Sequence, residues 1–250
     1  MRRCTTALLF ALAALPAVAA TPNPSTPAFR AGERYANVFS RTIAFHADGF
    51  EDSVRRVSGD AEYHVLDASA SRPRLRIDYR YDGRPQGGGI VELRDGGATT
   101  CFDGKCASNT DASGLAWNPR LWGSAPAALR VGQHWQVDIR EPWELGTPGR
   151  ETVSVVAVDA ASGQVTLERE GEGEGAYLGD QPTLTLVRDG HSYVVRVLPG
   201  RSHWAGYTTF RAGIVLSDEL MVERPVTLVS DQLGRIPARE RKYILLNASP

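Results

Sequence analysis

Arg74-Leu75-Arg76-Ile77-Asp78-Tyr79-Arg80-Tyr81-Asp82 alternates a charged side chain with an apolar or aromatic one at all nine positions. A β-strand turns successive side chains to opposite faces, so Leu75, Ile77, Tyr79 and Tyr81 share one apolar face. The charges share the other face, which meets water. That division is the mark of an antiparallel sheet with one buried side.

The period of two returns on either side of this stretch. In 134–140, Trp135, Val137 and Ile139 alternate with Gln136 and Asp138; Ala61, Tyr63 and Val65 repeat it more briefly. Segments 35–46, 152–158, 164–170, 183–198, 203–211, 219–229 and 242–247 are rich in Val, Leu, Thr and aromatics and read as further strands. Asp-Gly pairs at 82–83, 95–96, 103–104 and 189–190 fall between such runs, and Asp-Gly tolerates the positive φ of two-residue hairpin turns. The last pair predicts a register: Arg188 opposite His191, Leu186 opposite Tyr193, Leu184 opposite Val195. Helical periodicity is confined to a two-turn candidate starting at Asp48, with Phe50, Val54 and Val57 on one face and Glu51 at capping-box spacing. The expected fold is all-β and mostly antiparallel, a curved half-barrel or barrel-like sheet system with very little helix. Short charged loops interrupt the alternation, which argues against an outer-membrane barrel.

The N-terminus has the order of a cleavable secretory signal. Arg2 and Arg3 precede an apolar run from Thr5 to Leu15, and Pro16 is followed by Ala17, Val18, Ala19 and Ala20. The run is too short to span a bilayer. Residues 1–20 are therefore expected to be removed. Residues 21–30, which contain Thr-Pro-Asn-Pro-Ser-Thr-Pro-Ala, are expected to form a disordered leader, and 31–250 a single β-rich domain, or two β subdomains meeting near 110–130. The expected address is periplasmic or secreted. Loss of two arginines leaves 26 basic against 29 acidic residues with no polybasic run, so a nucleic-acid partner is not expected; nor is a transmembrane span.

After the leader, two cysteines remain, Cys101 and Cys106, flanking Phe-Asp-Gly-Lys. With Asp103-Gly104 as the turn, they form a cross-strand pair beyond the closing residues Phe102 and Lys105. Their close approach suits a disulfide, which an oxidising compartment favours. The spacing is not that of a redox Cys-x-x-Cys pair.

Candidate chemistry is sparse. The sequence has no Gly-x-Ser-x-Gly elbow, no Ser-x-x-Lys, no phosphate loop and no dinucleotide fingerprint, and its five histidines lack metal-ligand spacing. No catalytic residue, metal or cofactor is assigned. The Glu-Gly alternation of 168–175 would put Glu168, Glu170, Glu172 and Glu174 on one face, and it reads as a solvated hairpin end. His203, beside Trp204, would need Asp218 or Glu219 across a hairpin to act as a base.

The irregular segment 108–130 carries Leu115, Trp117, Leu121 and Trp122 and cannot simply lie in water. One reading is a strap sealing the open end of the sheet, its tryptophans acting as core plugs. The other is a lid, in which Trp117, Leu121, Trp122 and the loop residue Trp143 contact an apolar ligand. A lid would leave its tryptophans partly exposed in the empty protein. Half-barrel carriers of lipids and lipoproteins in the periplasm offer an analogy of architecture, which does not fix function. The functional expectation is a non-catalytic binding or carrier module of the cell envelope for an apolar small molecule, a lipid or an envelope protein. The alternatives are an envelope hydrolase using His203, or an assembly factor with no small ligand.

N-terminal sequencing of exported protein should read from Ala20 or Thr21. Retention of residues 1–20 in exported material would remove the basis for the assigned compartment.

Overall fold

The structure, a computed structural model, describes residues 27–69, 72–94, 97–109, 114–140, 148–175 and 182–249. The signal-like segment, the Asp95-Gly96 turn and Trp143 lie outside these residues. Among the described residues 71% are strand and 2% helix, in one large antiparallel sheet of 14 strands that does not close.

The first half of the chain is a meander: β1 (Arg34–His46), β2 (Ser53–Asp67), β3 (Arg74–Tyr81), β4 (Arg84–Arg94), β5 (Gly97–Phe102) and β6 (Lys105–Asn109). A short helix, α1 (Pro119–Trp122), interrupts the passage to β7 (His134–Ile139), β8 (Gly149–Asp159) and β9 (Gln164–Gly173). The hairpin β10 (Thr183–Arg188) and β11 (His191–Pro199) follows, then β12 (Ser202–Arg211), β13 (Ile214–Ser230) and β14 (Gly234–Ser249). The spatial order is β6-β5-β4-β3-β2-β1-β14-β13-β12-β9-β8-β7. The long β13 is shared: 214–223 pairs with β12, while 226–229 pairs with β11. Pro225, which has no N–H to donate to a ladder, falls at that changeover.

Turn chemistry sets the registers. Asp82-Gly83, Asp103-Gly104 and Asp189-Gly190 all have positive φ at both positions, as type I′ turns require. The β10–β11 pairs are those expected, Arg188 to His191, Leu186 to Tyr193 and Leu184 to Val195. Cys101 faces Cys106, with sulfurs 2.10 Å apart at disulfide distance. Ala212-Gly213 makes a turn of the same kind with Ala212 at φ 50°, a place the sequence does not advertise.

Alternation decides the buried face. Leu75 and Ile77 are fully buried, as are Ala61, Tyr63 and Val65 on the neighbouring strand, while Tyr79 is half-buried and Tyr81 exposed. The core thus fades toward one end of β3. Two expectations are corrected. The helix from Asp48 is instead the β1–β2 turn and the first residues of β2, where Val54 is exposed. Two turns of marginal propensity do not outweigh a continuous ladder to β1. The leader does not extend through residue 30, because Phe29 is buried against Tyr35 and the Ala28 N–H bonds Ala212 O at 2.9 Å.

Candidate functional site

β6 and β7 are consecutive in the chain but stand at opposite edges of the main sheet path, so the chain must cross the sheet between them. It crosses on the inner face. Val215 N–H donates to Leu115 O (2.8 Å), Trp117 N–H donates to Gly213 O (3.0 Å), and Ala116 bridges Ile214. Asn118 then caps α1, its side chain accepting the Arg120 N–H at 3.0 Å with Pro119 at the first helical position. Trp117 donates its indole N–H to Gly123 O (3.1 Å), and Trp135 reaches from β7 to Trp122 O (2.7 Å). The Trp117 ring meets Trp122 and Phe210 edge to face, at 5.3 and 5.1 Å.

Trp117, Leu121 and Trp122 are 3%, 6% and 4% exposed and belong to the core under β7, β8, β9, β12 and β13. The partial exposure expected of lid tryptophans is not found. Their burial is that of plugs, because the inner face of an open sheet has no second sheet to cover it.

Beneath Trp122 lies a buried ionic network that no motif announces. Arg169 projects inward from β9 and donates from Nε and Nη2 to the two oxygens of Glu151 (3.1 and 3.2 Å) and from Nη1 to Asp218 (3.1 Å). The Thr208 hydroxyl donates to Asp218 at 2.6 Å, and the Trp204 indole N–H to Glu151 at 2.7 Å. Burial alone would lower the Arg169 pKa, but the charges of Glu151 and Asp218 reverse this and hold it above its ordinary value. The Trp122 ring covers the guanidinium, 5.5 Å from Cζ. The nearest sequence clue was Arg169 itself, the one basic residue in the Glu-Gly run.

That run also changes meaning. Glu168, Glu170, Glu172 and Glu174 are exposed on the outer face, as expected, but the glycines are packed. A Cβ on Gly171 would lie 2.5 Å from the Trp204 ring, and one on Gly149 would lie 2.8 Å from it. The glycines make the bed on which that indole lies while it reaches Glu151.

A second feature occupies the end of the sheet where the strap enters. The N-terminal segment before β1, the β12–β13 turn and Leu115 border an open pocket of about 810 Å³. Leu115, Ile214, Val215 and Leu216 supply its apolar wall, and Arg30, Arg211 and Gln164 also line it. Tyr35 donates its hydroxyl to Glu33 beside the pocket. That bond is the main reason the Glu33 carboxyl sits below its usual value, while burial and the same bond raise the Tyr35 phenol.

A third cluster lies midway along the inner face, where Arg224 on β13 pairs with Glu240 on β14 and donates to Gly175 O. Neighbouring Lys242 is mostly buried. Burial pushes its ammonium down to about 8; Glu240 opposes the shift, and Arg224 and Arg41 add to it.

His203 is on the outer face, opposite the strap, with its side chain 63% exposed. Its carboxylate neighbour is Glu172 at 3.8 Å, whereas Asp218 faces Thr208 and Glu219 faces Tyr207. The approach of Asp218 or Glu219 that a base at His203 would need does not occur, because the β12–β13 register sets Glu223 opposite His203.

No family model and no curated protein matches this chain. Among solved structures, one described as "Lipid-protein interactions in lipovitellin" aligns with 88% of this chain and 26% of its own, with a TM-score of 0.43 and 9% identity. The chain therefore spans about a quarter of that protein's chain, and the likeness carries no functional argument.

Arg169→Met should lower unfolding free energy by about 3–5 kcal/mol, since it strands Glu151 and Asp218 without their cation. Trp122→Ala should cost a similar amount, about 3–5 kcal/mol, through the void it leaves. Urea denaturation measures both. The Lys242 effect has a definite sign. Between about pH 8 and its ordinary 10.5 the unfolded chain binds the proton more than the folded chain does, so stability rises with pH. The raised phenols of Tyr35, Tyr207 and Tyr243 reverse the trend above about pH 10. The urea midpoint should therefore climb from pH 7.5 to 9.5 in the wild type and stay flatter in Lys242→Met.

Proposed function

We propose that this protein is an exported, non-catalytic binding module that carries an apolar ligand in the pocket at the strap end of its curved sheet. The observation that carries this reading is the pocket itself. At about 810 Å³, with Leu115, Ile214, Val215 and Leu216 on its wall and a few polar groups converging, it has the size and mixed lining of small-molecule sites. Buried Leu115 backs this wall, and half-buried Leu216 is the apolar residue that opens onto the pocket. Export is supported by the N-terminal order of charged, apolar and small residues, and by the Cys101–Cys106 pair, which an oxidising compartment maintains. The solvated His203 on the opposite face lacks the oriented carboxylate of a general base, so the hydrolase reading gains nothing from the geometry.

Mass spectrometry of solvent extracts should find an apolar compound co-purifying with the wild type. Leu216→Trp, which fills the pocket from a half-buried position, should lose that compound while its melting temperature stays within a few degrees. Wild type free of any apolar compound, or a filled pocket that retains it, would defeat the proposal.

A further inference from the structure

The polar side of the pocket carries an excess of positive charge, three arginines against one carboxylate. Arg30 lies in the segment leading to β1, Arg34 starts that strand, and Arg211 ends β12; all three line the pocket. The hydrogen bond from Ala28 N–H to Ala212 O joins the two segments that carry Arg30 and Arg211. Both arginines act on the Tyr35 hydroxyl, whose raised pKa they draw back down. Glu33, the carboxylate among the lining residues, is already engaged: its Oε2 accepts from the Tyr35 hydroxyl and from the Arg30 backbone N–H at 3.2 Å. Among the described residues, none of the three guanidinium groups forms a salt bridge, in contrast with Arg80, Arg94 and Arg150 on the same sheet. A pocket with an apolar wall therefore has a mouth with excess positive charge and planar donors to spare.

We propose that the pocket takes an anionic amphiphile, an acyl chain ended by a carboxylate or phosphate group. The chain lies against Leu216 and Ile214, and the head lies between Arg30 and Arg211. This rests on the reading of the pocket as the ligand site and names the class of ligand. The guanidinium fork matches both carboxylate and phosphate oxygens, and such charge-assisted bonds are about twice as strong as neutral ones. A neutral head would leave the guanidinium groups to water and forgo those bonds.

The test is displacement of the neutral fluorescent probe N-phenyl-1-naphthylamine from the full-length mature protein by dodecanoate, dodecyl phosphate and dodecanol. At least one of the two anions should bind about tenfold or more tightly than the alcohol, a difference of about 1.4 kcal/mol. The stronger of the two names the head group. In Arg30→Gln/Arg211→Gln, checked for native melting, the preference should fall to about twofold or less, because glutamine keeps a donor but loses the charge. The salt dependence of the preference should weaken with it. Dodecanol binding as tightly as both anions would overturn the anionic head, and a double variant that keeps the preference would overturn its placement between Arg30 and Arg211; either result leaves an apolar-ligand site in place. Failure of all three compounds and the probe to bind would overturn the pocket reading, and this inference with it.

Discussion

An open sheet cannot bury its own inner face, and everything distinctive about this protein follows from how that face is covered. The two strands at the ends of the main path, β6 and β7, are neighbours in sequence, so the connection between them has to run over the sheet. A backbone that crosses an apolar surface must satisfy its polar groups and fill the space above the side chains below. The strap does the first with bonds from Leu115 and Trp117 to the β12–β13 turn, and the second with Trp117, Leu121 and Trp122. Its entry point is also where the N-terminal segment docks. That leaves the pocket between two packed clusters, one holding Leu115 and Ile214 and the other holding Trp117 and Val215.

Under the strap the packing is polar as well as apolar. A fully buried arginine is tolerable only with its charge matched and its donors used, and Arg169 meets both conditions through Glu151 and Asp218. The partners come from β8, β9 and β13, with Trp204 of β12 bonding Glu151 as well. The network therefore ties four strands at the point where Trp122 closes over it. A pair of this kind contributes less to net stability than its short distances suggest, because desolvation offsets much of the attraction. Its effect is on uniqueness: a one-residue slip of β9 would turn Arg169 outward and Glu168 or Glu170 into the core. The glycines at 149 and 171 belong to the same arrangement, since a side chain at either would displace the Trp204 ring from Glu151.

Strand content, the apolar face of β3, the hairpin registers at Asp103-Gly104 and Asp189-Gly190, and the pairing of Cys101 with Cys106 were all legible along the chain. Each depends on alternation or on the φ preference of a dipeptide, and those are local properties. The two-turn helix from Asp48 was misread because short apolar spacing is ambiguous between the two periods when a neighbouring strand is available to pair. The tryptophans of 108–130 were legible as important and ambiguous in role. Nothing in their spacing separates a plug from a lid, since both demand large apolar side chains on an irregular backbone.

By itself, then, the sequence determined an antiparallel β protein with one wet and one dry face, its main turns and a cross-strand cysteine pair. Tertiary structure alone decided the order of the strands, and with it that β6 and β7 become opposite edges and that the strap crosses inward. It also brought Arg169, Glu151, Asp218 and Trp204 together from positions up to 67 residues apart. The pocket between Arg30, Leu115 and Arg211 was assembled in the same way. The physical reason is the same for each. Alternation specifies which face of a strand is buried, but it does not specify which strand lies beside it, and sites built across a sheet exist only once that neighbourhood is set.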